Sequence, residues 1–166
     1  MRDSAEEEYV EYVTARVPAL RRLAYVLTGD GHRADDLVQQ TITTLYLKWP
    51  RARAAENIDA YVRTMLVRGY LDEKRLAWSK VRLFRQIPEP EPIEETGAED
   101  RQVLRAALRR VPRQQRAVLV LRFFYDLPVE EVAAILGCSG GTVKSHTSRG
   151  LAALRRLLPP RIEVPR

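Results

Sequence analysis

Apolar residues recur every three to four positions along nearly the whole chain, which is the helical period. Residues 5–15 carry Tyr9, Val10 and Val13 on one such helix. Pro18 suits the first turn of a second helix reaching Thr28, with Leu20, Leu23, Ala24 and Leu27 inward. Thr28-Gly29-Asp30-Gly31 reads as a turn. A longer helix follows over residues 32–49, with Val38, Ile42, Leu45 and Trp49 as its stripe, and Pro50 stops it. Residues 50–56 form a basic loop with Arg51 and Arg53. Asn57 is placed to cap a helix running to about Trp78, with Ala60, Tyr61, Met65 and Leu66 among its apolar residues.

The second half repeats the period. Val103, Leu104, Ala107 and Leu108 mark a helix over residues 102–111, and Pro112 opens another that continues to Tyr125. Val129, Val132, Ala133 and Leu136 make the stripe of the next. Gly137-Cys138-Ser139-Gly140-Gly141 then breaks the chain, glycine permitting the positive φ of a sharp reversal and Ser139 able to cap the last helix. In that last helix Val143, Thr147, Gly150 and Leu154 share one face. Thr142, Ser145, His146 and Arg149 share the opposite face, and their side chains suit phosphates and base edges. A helix, a tight turn and a second helix with a polar outer face form the pattern of a helix-turn-helix. An ordinary helical hairpin with a solvated face has the same spacing. Alternating strand patterns and internal repeats are absent, so an all-α fold is predicted.

Charge divides the chain. Its 166 residues hold 28 basic and 22 acidic side chains, a net +6. The stretch FRQIPEPEPIEETGAED, residues 84–100, holds six acids, one arginine and three prolines. Such a segment opposes helix and reads as an acidic, extended linker. The flanking halves then carry +11, with 27 basic against 16 acidic residues. An anionic partner suits them. The expected organisation is a domain over residues 1–83, the linker over 84–100, a second domain over 101–160 and a tail over 161–166.

Catalytic chemistry finds little support. His32 and His146 lie in different halves, and CxxC, HExxH and glycine-rich phosphate loops are missing. Asp35-Asp36 and Glu130-Glu131 are adjacent acids that diverge on a helix and form no dyad. The lone Cys138 reads as a small packed residue, with no disulfide, metal cluster or cofactor expected. No apolar run is long enough to span a bilayer, and the acidic N-terminus MRDSAEEEYVEYV lacks a signal-peptide pattern. A non-enzymatic, cytoplasmic protein is expected.

Two motifs in order, AYVLTGDGHRADDLVQQTITTLYLKW (residues 24–49) and VPRQQRAVLVLRFFYDLPVEEVAAILGCSGGTVKSHTSRGLAALRRLL (residues 111–158), resemble the extracytoplasmic-function (ECF) sigma factors of bacterial RNA polymerase. LTGD, NIDAYVRTMLVRGYLDEKR and SRGLAALR are similar to the actinobacterial SigE-like subgroup of this sigma-70 family. The resemblance implies two helical domains, sigma domain two and sigma domain four, and a role in recruitment, with core polymerase supplying the chemistry. Asp35, Asp36, Leu37, Gln39 and Gln40 then match the helix that docks on the clamp helices of the largest polymerase subunit. By spacing, Asp35, Gln39, Thr43 and Tyr46 fall on one face. Arg51, Arg53 and Asn57 match the segment capturing an unpaired base of the −10 element. Tyr61, Arg63, Arg68, Lys74 and Arg75 lie on the next helix, where arginines and an aromatic ring can hold single-stranded DNA. Tyr61 is equally readable as a core aromatic.

Gly141, Thr142, Lys144, Ser145, His146 and Arg149 match the −35 contact positions of domain four. Two departures stand out: Gly140 replaces a larger residue common in relatives, and His146 replaces arginine or glutamine. The linker would run, by the same resemblance, through the polymerase's basic channel. An anti-sigma factor, encoded elsewhere, is a further partner the resemblance allows. A conventional helix-turn-helix transcription factor remains the alternative, and it leaves the first motif idle. A helical interaction protein that never touches DNA leaves the +11 without a role.

Overall fold

The computed structural model describes residues 3–72 and 97–166, and among these every regular element is helical. The chain divides into two units, Met1–Tyr70 and Leu71–Arg166. Lys74, Arg75 and residues 84–96 of the expected linker lie outside the described residues.

The first unit begins with α1, Ser4–Thr28, one continuous helix in place of the two expected. Pro18 lies inside it. An interior proline costs about 3 kcal/mol through its missing donor and ring clash. Leu20, Leu23, Ala24 and Leu27 are all buried beyond it, and each buried leucine gains about 1.5–3 kcal/mol. Keeping them in register with Tyr9 and Tyr12 therefore outweighs the break. Gly29, at φ 69°, ends the helix in the left-handed region and donates its N–H to the Tyr25 carbonyl at 2.8 Å. The carboxylate of Asp30 accepts from the amides of His32 and Arg33, capping α2, Gly31–Leu47.

Helix α2 packs along α1 and buries Ala34, Leu37, Val38, Thr41 and Leu45. The expected basic loop after Trp49 instead starts with a short helix, α3, Trp49–Arg53. Helix α2 ends at Leu47, two residues short of the expected Trp49, and Pro50 sits where a proline suits the first turn of α3. Trp49 turns inward at 5% exposure and takes the rings of Tyr9 and Tyr12 at 5.6 Å each. Asn57 caps α4, Ile58–Asp72, its Oδ1 accepting from the Ala60 amide at 3.0 Å. Val62, Leu66, Val67 and Tyr70 face the core.

The second unit starts earlier than the linker reading implies. Helix α5, Ala98–Arg110, takes in Glu99 and Asp100, whose charges favour a helix start. Arg116 is buried, and its guanidinium donates to the carbonyls of Arg109 and Val111 at 2.7 and 3.0 Å. It thereby satisfies carbonyls at the C-terminus of α5 that the helix itself leaves open. Helix α6, Arg113–Leu119, runs into a π-helical turn, Val120–Phe124, where the sequence pattern predicts a straight helix to Tyr125. The Tyr125 amide bonds the Val120 carbonyl across five residues. This wider turn leaves Phe123 and Phe124 exposed, while Val120 and Leu121 stay buried.

Helix α7 is Val129–Leu136 and α8 is Gly140–Leu157. Between them Gly137 holds φ 66°, the left-handed conformation that glycine adopts without strain. The Ser139 hydroxyl accepts from the Thr142 amide at 3.1 Å, the cap the sequence implies. Ile135 joins Val132 in the core, although the expected stripe passes over it.

Candidate nucleic-acid interface

The polar face of α8 stands where the spacing puts it. Val143, Gly150, Leu151 and Leu154 are buried, and Thr142, Lys144, Ser145 and Arg149 are exposed. His146 is half-buried, with its Nδ1 shielded and lacking a hydrogen-bond partner among the described residues. It contributes one edge of a ring to this face rather than the whole side chain. The Thr142 amide serves the Ser139 cap, and the two hydroxyls lie 3.0 Å apart. Of the expected donors at the helix start, the amides of Gly140 and Gly141 remain for an anion, since the first turn has no carbonyl within the helix to bond them.

What sets the depth of this helix is Gly150. A Cβ there would meet Leu119 Cδ1 at 2.9 Å, Cγ at 3.1 Å and Cδ2 at 3.3 Å. Helices α6 and α8 therefore touch backbone to side chain at this point. Arg149, the neighbour of Gly150, is exposed. Cys138, in the turn, is a half-buried free thiol.

In the first unit the residues expected to dock polymerase separate into two groups. Asp35, Gln39, Gln40 and Thr43 are exposed on α2, and Asp36 is half-exposed. Leu37 is a correction. It is wholly buried, with Cδ1 at 3.3 Å from the position a Gly69 Cβ would take, so it supports the helix from beneath. The carboxylate of Asp35 is held by the Arg21 guanidinium at 2.8 Å. The face continues into Tyr46, 54% exposed, and Leu47, 76% exposed. Leu47 is absent from the sequence-based set, although it follows Gln39 and Thr43 at i+4 steps. Tyr46 and Leu47 together give the polar strip an exposed apolar end.

Arg51 and Arg53 are exposed at the end of α3, and Asn57 is exposed before α4. Arg53 carries an ion pair with Glu8 at 2.8 Å. Tyr61 and Arg63 are half-buried and Arg68 is exposed on α4.

Two family models match the chain. Sigma-70 region 2 covers residues 12–80 and sigma-70 region 4 covers residues 101–154. The RNA polymerase sigma-E factor of Streptomyces coelicolor is 36% identical over 160 residues, covering 93% of this chain and 88% of that protein. The chain belongs to the ECF sigma factors of the sigma-70 family. This sigma factor is also 31% identical to the ECF sigma factor EcfG of Rhodopseudomonas palustris, over 88% of this chain and 82% of that protein. Among solved structures it is similar to the sigma factor RpoE of Bartonella quintana, seen in complex with the anti-sigma factor NepR. The TM-score is 0.70 at 27% identity, covering 91% of this chain and 96% of that one. It is an RNA polymerase sigma subunit, and its α7–α8 pair is the helix-turn-helix of region 4. None of the described helices is long and apolar enough to cross a membrane.

Proposed function

We propose that this sigma subunit docks on core polymerase through the exposed strip of α2 and engages promoter DNA with both units. Residues Asp35, Asp36, Gln39, Gln40 and Thr43, continued by Tyr46 and Leu47, meet the polymerase. The α3–α4 loop with Arg51 and Asn57 captures an unpaired −10 base. Tyr61, Arg63 and Arg68 track the single strand beyond it, with Lys74 and Arg75 as further candidates from the sequence. Helix α8 enters the −35 major groove. The acidic segment that begins at residue 84 and ends before α5 occupies a basic channel of the polymerase until RNA displaces it. The chain acts in the cytoplasm and performs no chemistry of its own. A partner of the anti-sigma class, as bound by the Bartonella relative, fits the same reading.

The observation that carries this proposal is the exposed row Thr142, Ser145 and Arg149, flanked by Lys144, opposite a buried Val143 and Leu154. Arg149 can bond guanine bidentately, whereas Lys144 at the flank suits a phosphate. Arg149→Ala is expected to relax preference at one −35 position by about 1–3 kcal/mol, one to two decades in affinity. Lys144→Ala is expected to weaken all sequences nearly equally and to lower the salt slope by about one. The test is binding of a −35 duplex library at two salt concentrations by the wild type and both variants. A uniform loss with Arg149→Ala removes the base-reading role.

A further inference from the structure

One face of α1 grips both ends of the α3–α4 loop. Glu8, Tyr12 and Arg16 recur at four-residue steps, so they lie in a row along the helix. Glu8 takes the Arg53 guanidinium, whose Nη2 lies 2.8 Å from Oε2 and 3.1 Å from Oε1. The Tyr12 hydroxyl donates to Asp59 Oδ1 at 2.7 Å, and Arg16 holds the other oxygen, Oδ2, at 2.9 Å. Arg53 closes α3, and Asp59 stands in the first turn of α4. Residues 54–57 are thus pinned from one side at each end. Below the same row Tyr12 rests against the buried Trp49 ring. Partial burial and the Asp59 carboxylate push the Tyr12 hydroxyl well above the usual tyrosine range, so it remains a donor at any working pH.

Both ion pairs are part-exposed, with side chains at 42–49%. Exposed ion pairs add little to stability. Such a row of long-range polar contacts is better matched to fixing a loop than to holding the unit together. The loop ends on Asn57, whose Oδ1 is committed to its cap while its Nδ2 is not, and α3 just before the loop carries Arg51, which no contact of the row touches.

We infer that Glu8, Tyr12 and Arg16 are positioning residues that hold the 54–57 loop in the conformation receiving the −10 base, with Arg53 serving as the latch on Glu8. This rests on the reading of that loop as the −10 capture segment. Arg53, matched to DNA by resemblance, then acts through Glu8, and Arg51 and Asn57 are left as the residues presented to the strand. Capture succeeds by orientation, where small displacements of a binding group cost much of its effect.

The test uses holoenzyme assembled from the full chain and core polymerase. The probe is a single-stranded oligonucleotide with the −10 non-template sequence of a promoter the holoenzyme transcribes. Glu8→Gln and Tyr12→Phe are each expected to weaken binding of the probe by about three- to tenfold, as for a lost contact of about a kilocalorie. Core affinity, −35 duplex binding and melting temperature should stay near wild type. Arg53→Glu should bind poorly, and combining it with Glu8→Arg should recover most of the loss, because the swapped pair rebuilds the latch. Failure of the swap to recover binding overturns the inference, since Arg53 would then meet the DNA itself. Wild-type binding by Glu8→Gln and Tyr12→Phe overturns it too, while a loss with Asn57→Ala alongside leaves the loop reading intact. If Asn57→Ala also binds as wild type, the loop is not the capture segment and both readings fall.

Discussion

Valine at position 150 will lower the melting temperature of the C-terminal transition by about 10 °C, as overpacking of 1–3 kcal/mol does in a unit this small. The cause is the close approach at Leu119, where even the first carbon of a side chain would sit at 2.9 Å from Cδ1. Alanine places only that carbon, and the Leu119 side chain can swing away from it. The expected loss for Gly150→Ala is therefore well under that for valine. The two effects should also be coupled. Leu119→Ala alone leaves a cavity and costs about 2–5 kcal/mol. In a Gly150→Val and Leu119→Ala double variant the new methyls occupy that space, and the combined cost should fall short of the sum. Thermal melting of the four proteins by far-ultraviolet circular dichroism checks this. Strict additivity would show that α6 and α8 do not meet at Gly150.

Leu47→Asp will weaken the affinity for core polymerase by about thirtyfold or more, the scale of a central contact residue. Leu47 is 76% exposed in the free chain, so a charge there meets water, and the fold loses only about 0.3–1 kcal/mol, the cost of a carboxylate at a helix C-terminus. Against a polymerase surface the same carboxylate would be desolvated beside the Tyr46 ring. Tyr46 is a less clean probe, because its ring also meets Tyr9 edge-on at 5.2 Å. Titration of fluorescent core with each protein, paired with melting curves, separates a docking role from a folding one. Unchanged core affinity would take the C-terminal end of α2 out of the interface.

The punctuation of this fold is legible in the sequence because it is local. Gly29 with Asp30, and Gly137 with Ser139, stop and cap helices through bonds spanning two to four residues. The faces of α8 are legible for the same reason, since period alone separates Val143 and Leu154 from Ser145 and Arg149. The features that escape a sequence reading are non-local. Pro18 reads as a break until the buried leucines beyond it are seen to demand one straight α1. The π-helical turn over Val120–Phe124 has no composition of its own. Its one sign is the run Phe123-Phe124-Tyr125, three aromatics in succession that one stripe cannot bury. Arg116 is charged and reads as a surface residue, yet it is buried because it serves the carbonyls of Arg109 and Val111.

The candidate sites show the same division. Exposure of Asp35, Gln39 and Thr43 follows from spacing, but the motif carries Leu37 onto the surface with them, and Leu37 belongs in the core. Arg53 looks like a free cation in a basic loop. Its partner, Glu8, lies 45 residues earlier, a distance at which no sequence pattern operates.

The central claim is that one chain brings core polymerase to promoters by using both of its units. Run-off transcription with purified core polymerase, this protein and a pool of genomic promoter fragments tests it most directly. Discrete transcripts that need the protein are expected, from fragments sharing paired −35 and −10 elements, and Arg149→Ala and Leu47→Asp should each diminish them. Duplex binding by the protein alone, with no dependent transcript from any fragment, would contradict the claim.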